Sequence, residues 1–274
     1  MAGALLLVAT PLGNLGDLTL RALEALRSST GVICEDTRRT QRLLSAYQIR
    51  KPLLSMPAFD EERRIGPLLT RLAAGERLAL VSDAGSVGIS DPGEHLIAAA
   101  LDAGIAVEVL PGPSAAVAAL QISGLPTARF VFAGFLPRKG EARRRSLDEL
   151  GSLRFTLVIY ESPRRLPRTL TDLVEAWGDR RAAVVRELTK LHEEVRRGRL
   201  SELAAHFQGE VLGEVTLVVE GATEAPRAPA EDEIQASIDR RADDGLGTRA
   251  LAKAVAEELG LSVREVYQRL IRGK

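Results

Sequence analysis

The sequence predicts an α/β protein built from two successive strand–helix series, followed by a short helical tail. Three observations carry this prediction. Short apolar runs recur along the chain, bounded by Gly, Pro, Ser or Asp. Helical patterns fall between them and often end at a Gly. Two apolar runs then break into small-residue loops, LVSDAGSVGISDPG at 80–93 and LPGPSA at 110–115, each leading into a helical pattern. Strands alternating with helices imply a mainly parallel sheet covered on both faces. In such sheets ligands bind at the carboxyl ends of strands, where loops of this kind converge. Small residues there let backbone approach a ligand closely. Either loop alone also suits an ordinary strand–helix turn.

The first strand is expected at 5–9, ending in Thr10-Pro11-Leu12-Gly13-Asn14. Asp17 is placed to cap a helix with Leu20, Leu23 and Leu26 on one side. A second strand at 32–34 runs into Glu35-Asp36-Thr37-Arg38-Arg39, and a basic amphipathic helix follows over 40–47. A weak strand at 53–54 precedes a helix over 61–74. Strand four spans 78–81, and the helix after its loop spans 94–103, with Asp91 before Pro92 expected as its cap. Strand five at 106–110 leads to a small-residue helix at 114–121.

Ser123-Gly124-Leu125-Pro126 marks the expected domain boundary. Residues 1–122 then form an N-terminal α/β domain carrying the ligand loops, 123–223 a second α/β domain, and 224–274 a linker and helical tail. In the second domain, strands are expected at 130–135, 155–160, 182–185 and 215–219, with helices before Gly178 and over 201–207. The segment 224–231 holds three alanines and two prolines and reads as a linker. In the tail, Gly260 turns the chain and Ser262 can cap a last helix, an arrangement resembling a helix-turn-helix. Nine basic and nine acidic residues from Arg227 onward argue against a strong DNA reader there.

Composition narrows the function. The chain of 274 residues is 45% hydrophobic and carries 37 basic and 37 acidic side chains, so no global field advertises a nucleic-acid or membrane partner. One cysteine, Cys34, excludes an internal disulfide framework and fits a reducing cytoplasm. The opening apolar run is too short for a membrane span, has no basic stretch before it, and reads as a buried strand. There is no GxxxxGK[ST] phosphate loop, no GxSxG elbow, and no metal-ligand spacing among His95, His192 and His206. No metal site is expected. What remains is a set of loops suited to an uncharged or cationic small ligand. Leu12, Val87 and Ala115 offer apolar contact, Asp83 a carboxylate, and Ser86 and Ser114 hydroxyls.

Several motifs in order resemble the tetrapyrrole methylase superfamily of S-adenosylmethionine-dependent methyltransferases. They are VATPLGNLGDLTLRAL at 8–23, CEDTRRT at 34–40, SDAG and GISDPG within 82–93, PGPSA at 111–115, YESPRR at 160–165, RELTKLHEE at 186–194 and GEVTLVVEG at 213–221. The resemblance covers nearly the whole chain and is closest to the branch that methylates small-subunit ribosomal RNA. Val87 stands where that pattern has Pro, and Arg164 where it has His.

The resemblance implies two α/β domains with the cofactor cleft between them, a homodimer, and 2′-O-methylation of a cytidine ribose. Carried over by motif, Leu12, Asp83, Ser86, Val87, Ser114 and Ala115 would contact S-adenosyl-L-methionine from the first domain. Tyr160, Glu161, Leu188 and Thr216 would do so from the second, although Tyr160 and Thr216 also suit core positions.

Methyl transfer to a hydroxyl requires alignment and favours a nearby base. The sequence leaves Glu35, Asp36, Glu187 and Lys190 as candidates, each with a structural alternative as a cap, loop or surface ion pair. RNA contact needs local cations. Arg38, Arg39, Arg164 and Arg165 follow strand ends and are the expected RNA-binding residues. The cluster Arg138, Lys139, Arg143, Arg144 and Arg145 serves either RNA or a solvated helix face. The expected partner is ribosomal RNA or the small subunit, without a membrane. The alternatives are a methyltransferase of the same fold acting on a tetrapyrrole or a modified protein side chain, and a ligand-sensing DNA regulator.

Overall fold

The computed structural model describes residues 3–223, 231–242, 246–259, 261 and 263–272. They divide into two compact units that meet in sequence at residues 222 and 223. The expected linker, apart from Glu231, lies outside the described residues, as do the Gly260 turn and the Ser262 cap.

Five strands make the first sheet: β1 (Ala4–Val8), β2 (Gly31–Cys34), β3 (Leu53–Ser55), β4 (Arg77–Val81) and β5 (Ala106–Leu110). Their order is β3-β2-β4-β1-β5 and every pairing is parallel. Four helices return the chain: α1 (Leu20–Ser28), α2 (Thr37–Ala46), α3 (Glu61–Ala73) and α4 (Glu94–Asp102). The central strands β1, β2 and β4 are almost wholly apolar because both faces are covered, whereas β5 at the sheet edge is partly exposed and carries Glu108. Side-chain alternation sorts them. Leu6, Val8, Ala79 and Val81 pack with Leu26 and Leu44 of α1 and α2. Leu5, Leu78 and Leu80 point the other way, onto Leu72 of α3 and Leu96 of α4. Each fully buried Leu contributes about 1.5–3 kcal/mol.

Next come α5 (Ala115–Ser123), β6 (Phe130–Phe135), α6 (Gly140–Gly151), β7 (Thr156–Glu161), α7 (Leu166–Trp177), β8 (Arg181–Arg186), β9 (Glu194–Arg199), α8 (Leu200–His206) and β10 (Val215–Val219). The second sheet has the order β6-β7-β10-β8-β9. Only β6 and β7 pair in parallel; β7–β10, β10–β8 and β8–β9 are antiparallel. The strand β9, EVRRGR, is absent from the sequence reading because four of its six residues are charged. It is an edge strand, where charge blunts unwanted pairing. Helices α6, α7 and α8 cover one face through Leu147, Leu170, Trp177 and Leu203. The other face carries Val158, Val185 and Val218, and α5 packs on it with Ala116, Ala119 and Leu120.

Some local expectations change. Asp17 does not cap α1: it ends a 3-10 turn whose cap is Asn14, and Thr19 Oγ1 accepts from Ala22 N–H to cap α1. Helix α2 starts at Thr37, three residues earlier than read, because Asp36 accepts from the Arg38 and Arg39 N–H groups. Arg143 is neither a solvated cation nor free for RNA. It is buried, pairs with Asp172 at 2.7 Å and donates to Thr169 Oγ1 at 3.1 Å.

In the second unit, α9 (Glu231–Ala242), α10 (Thr248–Leu259) and α11 (Val263–Arg272) share a small core of Leu251, Ala252, Val255, Ala256 and Val266.

Candidate active site

A cavity of about 390 Å³ lies between the carboxyl ends of the first sheet's strands and the β6, β7 and β10 ends of the second. Its walls are the loops after β1, β2, β4 and β5, joined by residues at β6, β7, β8 and β10. The loops are clamped together by the main chain. Thr10 N–H donates to Gly85 O at 2.9 Å and Gly85 N–H to Thr10 O at 3.0 Å. Thr10 Oγ1 donates to Ser82 O, and Ser86 Oγ to Pro113 O at 3.1 Å. Gly85 sits at φ +84°, and a Cβ there would come within 3.1 Å of Leu12 Cδ2. The left-handed backbone at this position favours glycine, and a side chain there would also crowd Leu12.

Leu12, Asp83, Ser86, Ser114, Ala115, Tyr160, Glu161, Leu188 and Thr216 all line the cavity, as do Glu35 and Arg39. Val87 does not; it turns into the core beside Leu80 and Leu96. Asp91 lines the wall instead of capping α4. It accepts from Ser82 Oγ, and the α4 cap is supplied by Glu61 of α3, whose Oε1 accepts from Gly93 N–H at 3.0 Å and Leu96 N–H at 3.3 Å. Sequence reasoning also missed Phe135 and Glu214, which sit at strand ends facing the cavity. Their position next to apolar strands was the available signal.

The cavity is acidic. Asp83 Oδ1 is buried without a hydrogen bond, while Oδ2 lies 3.4 Å from Arg39. Burial pushes the Asp83 carboxyl above the usual carboxylate range against the pull of Arg39. Burial likewise raises Asp91, reinforced by Asp83 and Glu214 and opposed by the Ser82 hydroxyl. Glu35 is raised by burial and by the charges of Asp83 and Asp91. Such a group of like charges favours a cation in its midst.

The second-sheet side is held by ionic pairs. Glu161 accepts from Ser162 N–H at 2.6 Å and Thr169 Oγ1 at 2.7 Å, and pairs with Arg165 at 2.6 Å. Arg165 also donates to Leu136 O, so its guanidinium is committed inward, whereas Arg164 is exposed. The Tyr160 hydroxyl oxygen accepts from Ala116 N–H at 3.2 Å and the ring stacks edge-on with Phe132; burial pushes its phenol up. Glu187 and Lys190 lie behind the wall. Lys190 Nζ donates to Glu187 at 2.9 Å and to Glu214 at 3.0 Å, with its stem across Gly13. Burial opposes both charges, but the pairing outweighs it, holding Glu187 low and Lys190 high. Asp36 is spent as the α2 cap, which lowers its carboxyl.

The sequence pattern of the Tetrapyrrole (Corrin/Porphyrin) Methylases matches residues 4–204. The chain belongs to the tetrapyrrole methylases. Among curated tetrapyrrole methylases, it is 47% identical over 220 residues to the Ribosomal RNA small subunit methyltransferase I of Thermotoga maritima, covering 80% of this chain and 99% of that protein. It is 46% identical over 277 residues to the protein of the same name from Mycobacterium tuberculosis, covering 100% of this chain and 96% of the relative. Solved structures share the fold. Diphthine synthase aligns with TM-score 0.65 at 17% identity over 80% of this chain and 90% of its own. The uroporphyrin-III C-methyltransferase of Thermus thermophilus in complex with S-adenosylhomocysteine aligns with TM-score 0.58 at 21% identity, covering 80% of this chain and 97% of the other.

Proposed function

We propose that this chain is an S-adenosylmethionine-dependent methyltransferase that methylates the ribose 2′-oxygen of a cytidine in small-subunit ribosomal RNA, with the cavity as its methyl-donor site. The observation that carries this is the buried, unpartnered Asp83 Oδ1 in an acidic, partly apolar cavity. A carboxylate without a partner is costly there unless a donor or cation arrives. S-adenosylmethionine offers both an ammonium and a sulfonium, so the residues present fit it. The relatives' shared name supports ribosomal RNA as the substrate.

When bound, the cofactor supplies an electrophilic methyl group on a positively charged sulfur. Asp83 would receive its hydrogen-bond donors. Leu12, Ala115 and Leu188 would exclude water from its apolar parts, while Ser86, Ser114, Tyr160, Glu161 and Thr216 would orient it. Val87 contributes packing behind its loop. Most of the rate then comes from alignment of two reactants. Arg38, Arg39 and Arg164, all exposed, suit phosphate contacts at the rim, which position RNA without reading its sequence.

The reading extends to a homodimer in the cytoplasm. Exposed Val109 and Phe130 on the outer strands β5 and β6 support self-association, and sedimentation of the purified chain tests it. Among the described residues, no helix is long and apolar enough to cross a membrane. For the activity, the chain is incubated with methyl-labelled cofactor and, in turn, small ribosomal subunits, a corrinoid precursor and DNA. Label is expected in the ribosomal RNA alone. Label in the corrinoid would favour the superfamily's other chemistry, and no cofactor binding by calorimetry would sink the site.

A further inference from the structure

Every acid on the cavity wall except one has at least one carboxylate oxygen already engaged. Asp83 faces Arg39, Asp91 accepts from Ser82, Glu161 holds three donors, and Glu214 receives Lys190. Glu35 lines the same cavity, is half-buried, and has neither a hydrogen bond nor an ion pair from its carboxylate to any described residue. It sits on the loop directly after β2, between the sheet and the cap of α2, so its backbone is fixed on both sides. The other three bases left open by the sequence are removed by their contacts. Asp36 caps a helix, Glu187 binds Lys190 Nζ and Glu214 N–H, and Lys190 is an ammonium between two carboxylates.

We propose that Glu35 is the general base that takes the proton from the ribose 2′-hydroxyl, an assignment that rests on reading the cavity as the methyl-donor site. The ribose oxygen forms its bond to the methyl carbon as that carbon's bond to sulfur breaks. The electron pair of the broken bond stays on sulfur, which becomes a neutral thioether. The hydroxyl proton passes to Glu35, which becomes a neutral acid and later releases it to water. One positive and one negative charge thus disappear together in a site already crowded with carboxylates. Burial and the facing charges of Asp83 and Asp91, with Asp36 adding and Arg39 opposing, raise the Glu35 carboxyl and make it a better proton acceptor than an ordinary glutamate.

The test uses the full chain with small ribosomal subunits as substrate. Glu35→Gln is expected to bind the cofactor with wild-type affinity by calorimetry and to transfer methyl roughly 10²–10⁴-fold more slowly. The wild-type rate is expected to rise with pH until Glu35 is ionised and then level off; Glu35→Gln is expected to lose that limb. Glu35→Asp keeps a carboxylate and is expected to retain the limb at an intermediate rate, which guards against a folding defect in the glutamine variant. A wild-type rate and pH profile in Glu35→Gln would overturn the assignment and leave the methyl-donor reading standing. Loss of cofactor affinity in folded Glu35→Gln would also overturn it, making Glu35 a binding residue. Failure of the wild type to bind cofactor would overturn both.

Discussion

Asp83 has one partnered and one orphaned oxygen. Asparagine preserves its shape and removes its charge. Asp83→Asn is expected to weaken S-adenosylmethionine binding roughly 10- to 100-fold, the worth of a charged hydrogen bond, while leaving the fold intact; calorimetry measures it. Glu35, Asp83 and Asp91 share a second consequence. Their folded pKa values lie above the ordinary 4.5, 3.8 and 3.8. The stability they contribute is therefore full below those values and lost as pH rises through the raised ones. A cation in the cavity relieves that loss. The increase in melting temperature given by the cofactor is expected to grow as pH rises above the ordinary carboxylate range, where the raised groups ionise, and a shift that is flat or falls with pH would contradict this. Residue identity in the small-residue loops was legible in the sequence because Gly, Pro and Ser mark strand ends. The commitments of Asp91, Arg143 and Arg165 were not, since they depend on how the chain folds back to bring Ser82, Asp172 and the Leu136 carbonyl beside them.

At the scale of elements, α4 draws its cap from another helix. Glu61 is buried and serves two α4 N–H groups. Glu61→Ala would orphan both, at a cost of about 1–2 kcal/mol in urea unfolding, and Glu61→Gln, which keeps one acceptor, should cost less. An unchanged alanine variant would mean that water replaces the cap. Apolar runs made β1, β4, β7 and β10 readable, because a strand covered on both faces has little polar content. The mixed directions of the second sheet were hidden: nothing local in 186–199 says that the chain doubles back through a charged edge strand. The missed cap of α1 has the same cause on a smaller scale, as a 3-10 turn displaced the cap from Asp17 to Thr19, two residues on.

For the molecule as a whole, all cavity residues fall between Leu12 and Thr216, within the first compact unit. The Thermotoga maritima relative is matched over 99% of its length by only 80% of this chain. A chain ending at Ala222 is therefore expected to fold and to bind the cofactor as the full chain does; loss of affinity in a folded truncation would show that the tail completes the site. The path of α5 bears on how that shortened chain melts. This helix follows the first sheet by a four-residue loop, yet buries Ala116, Ala119 and Leu120 against Val158, Val185 and Val218 of the second. Drawing the halves apart peels an apolar surface bare on both. Neither half has an independent way to come undone, so heat should take residues 1–222 apart in one cooperative step, a single calorimetric peak with van't Hoff and measured enthalpies in agreement.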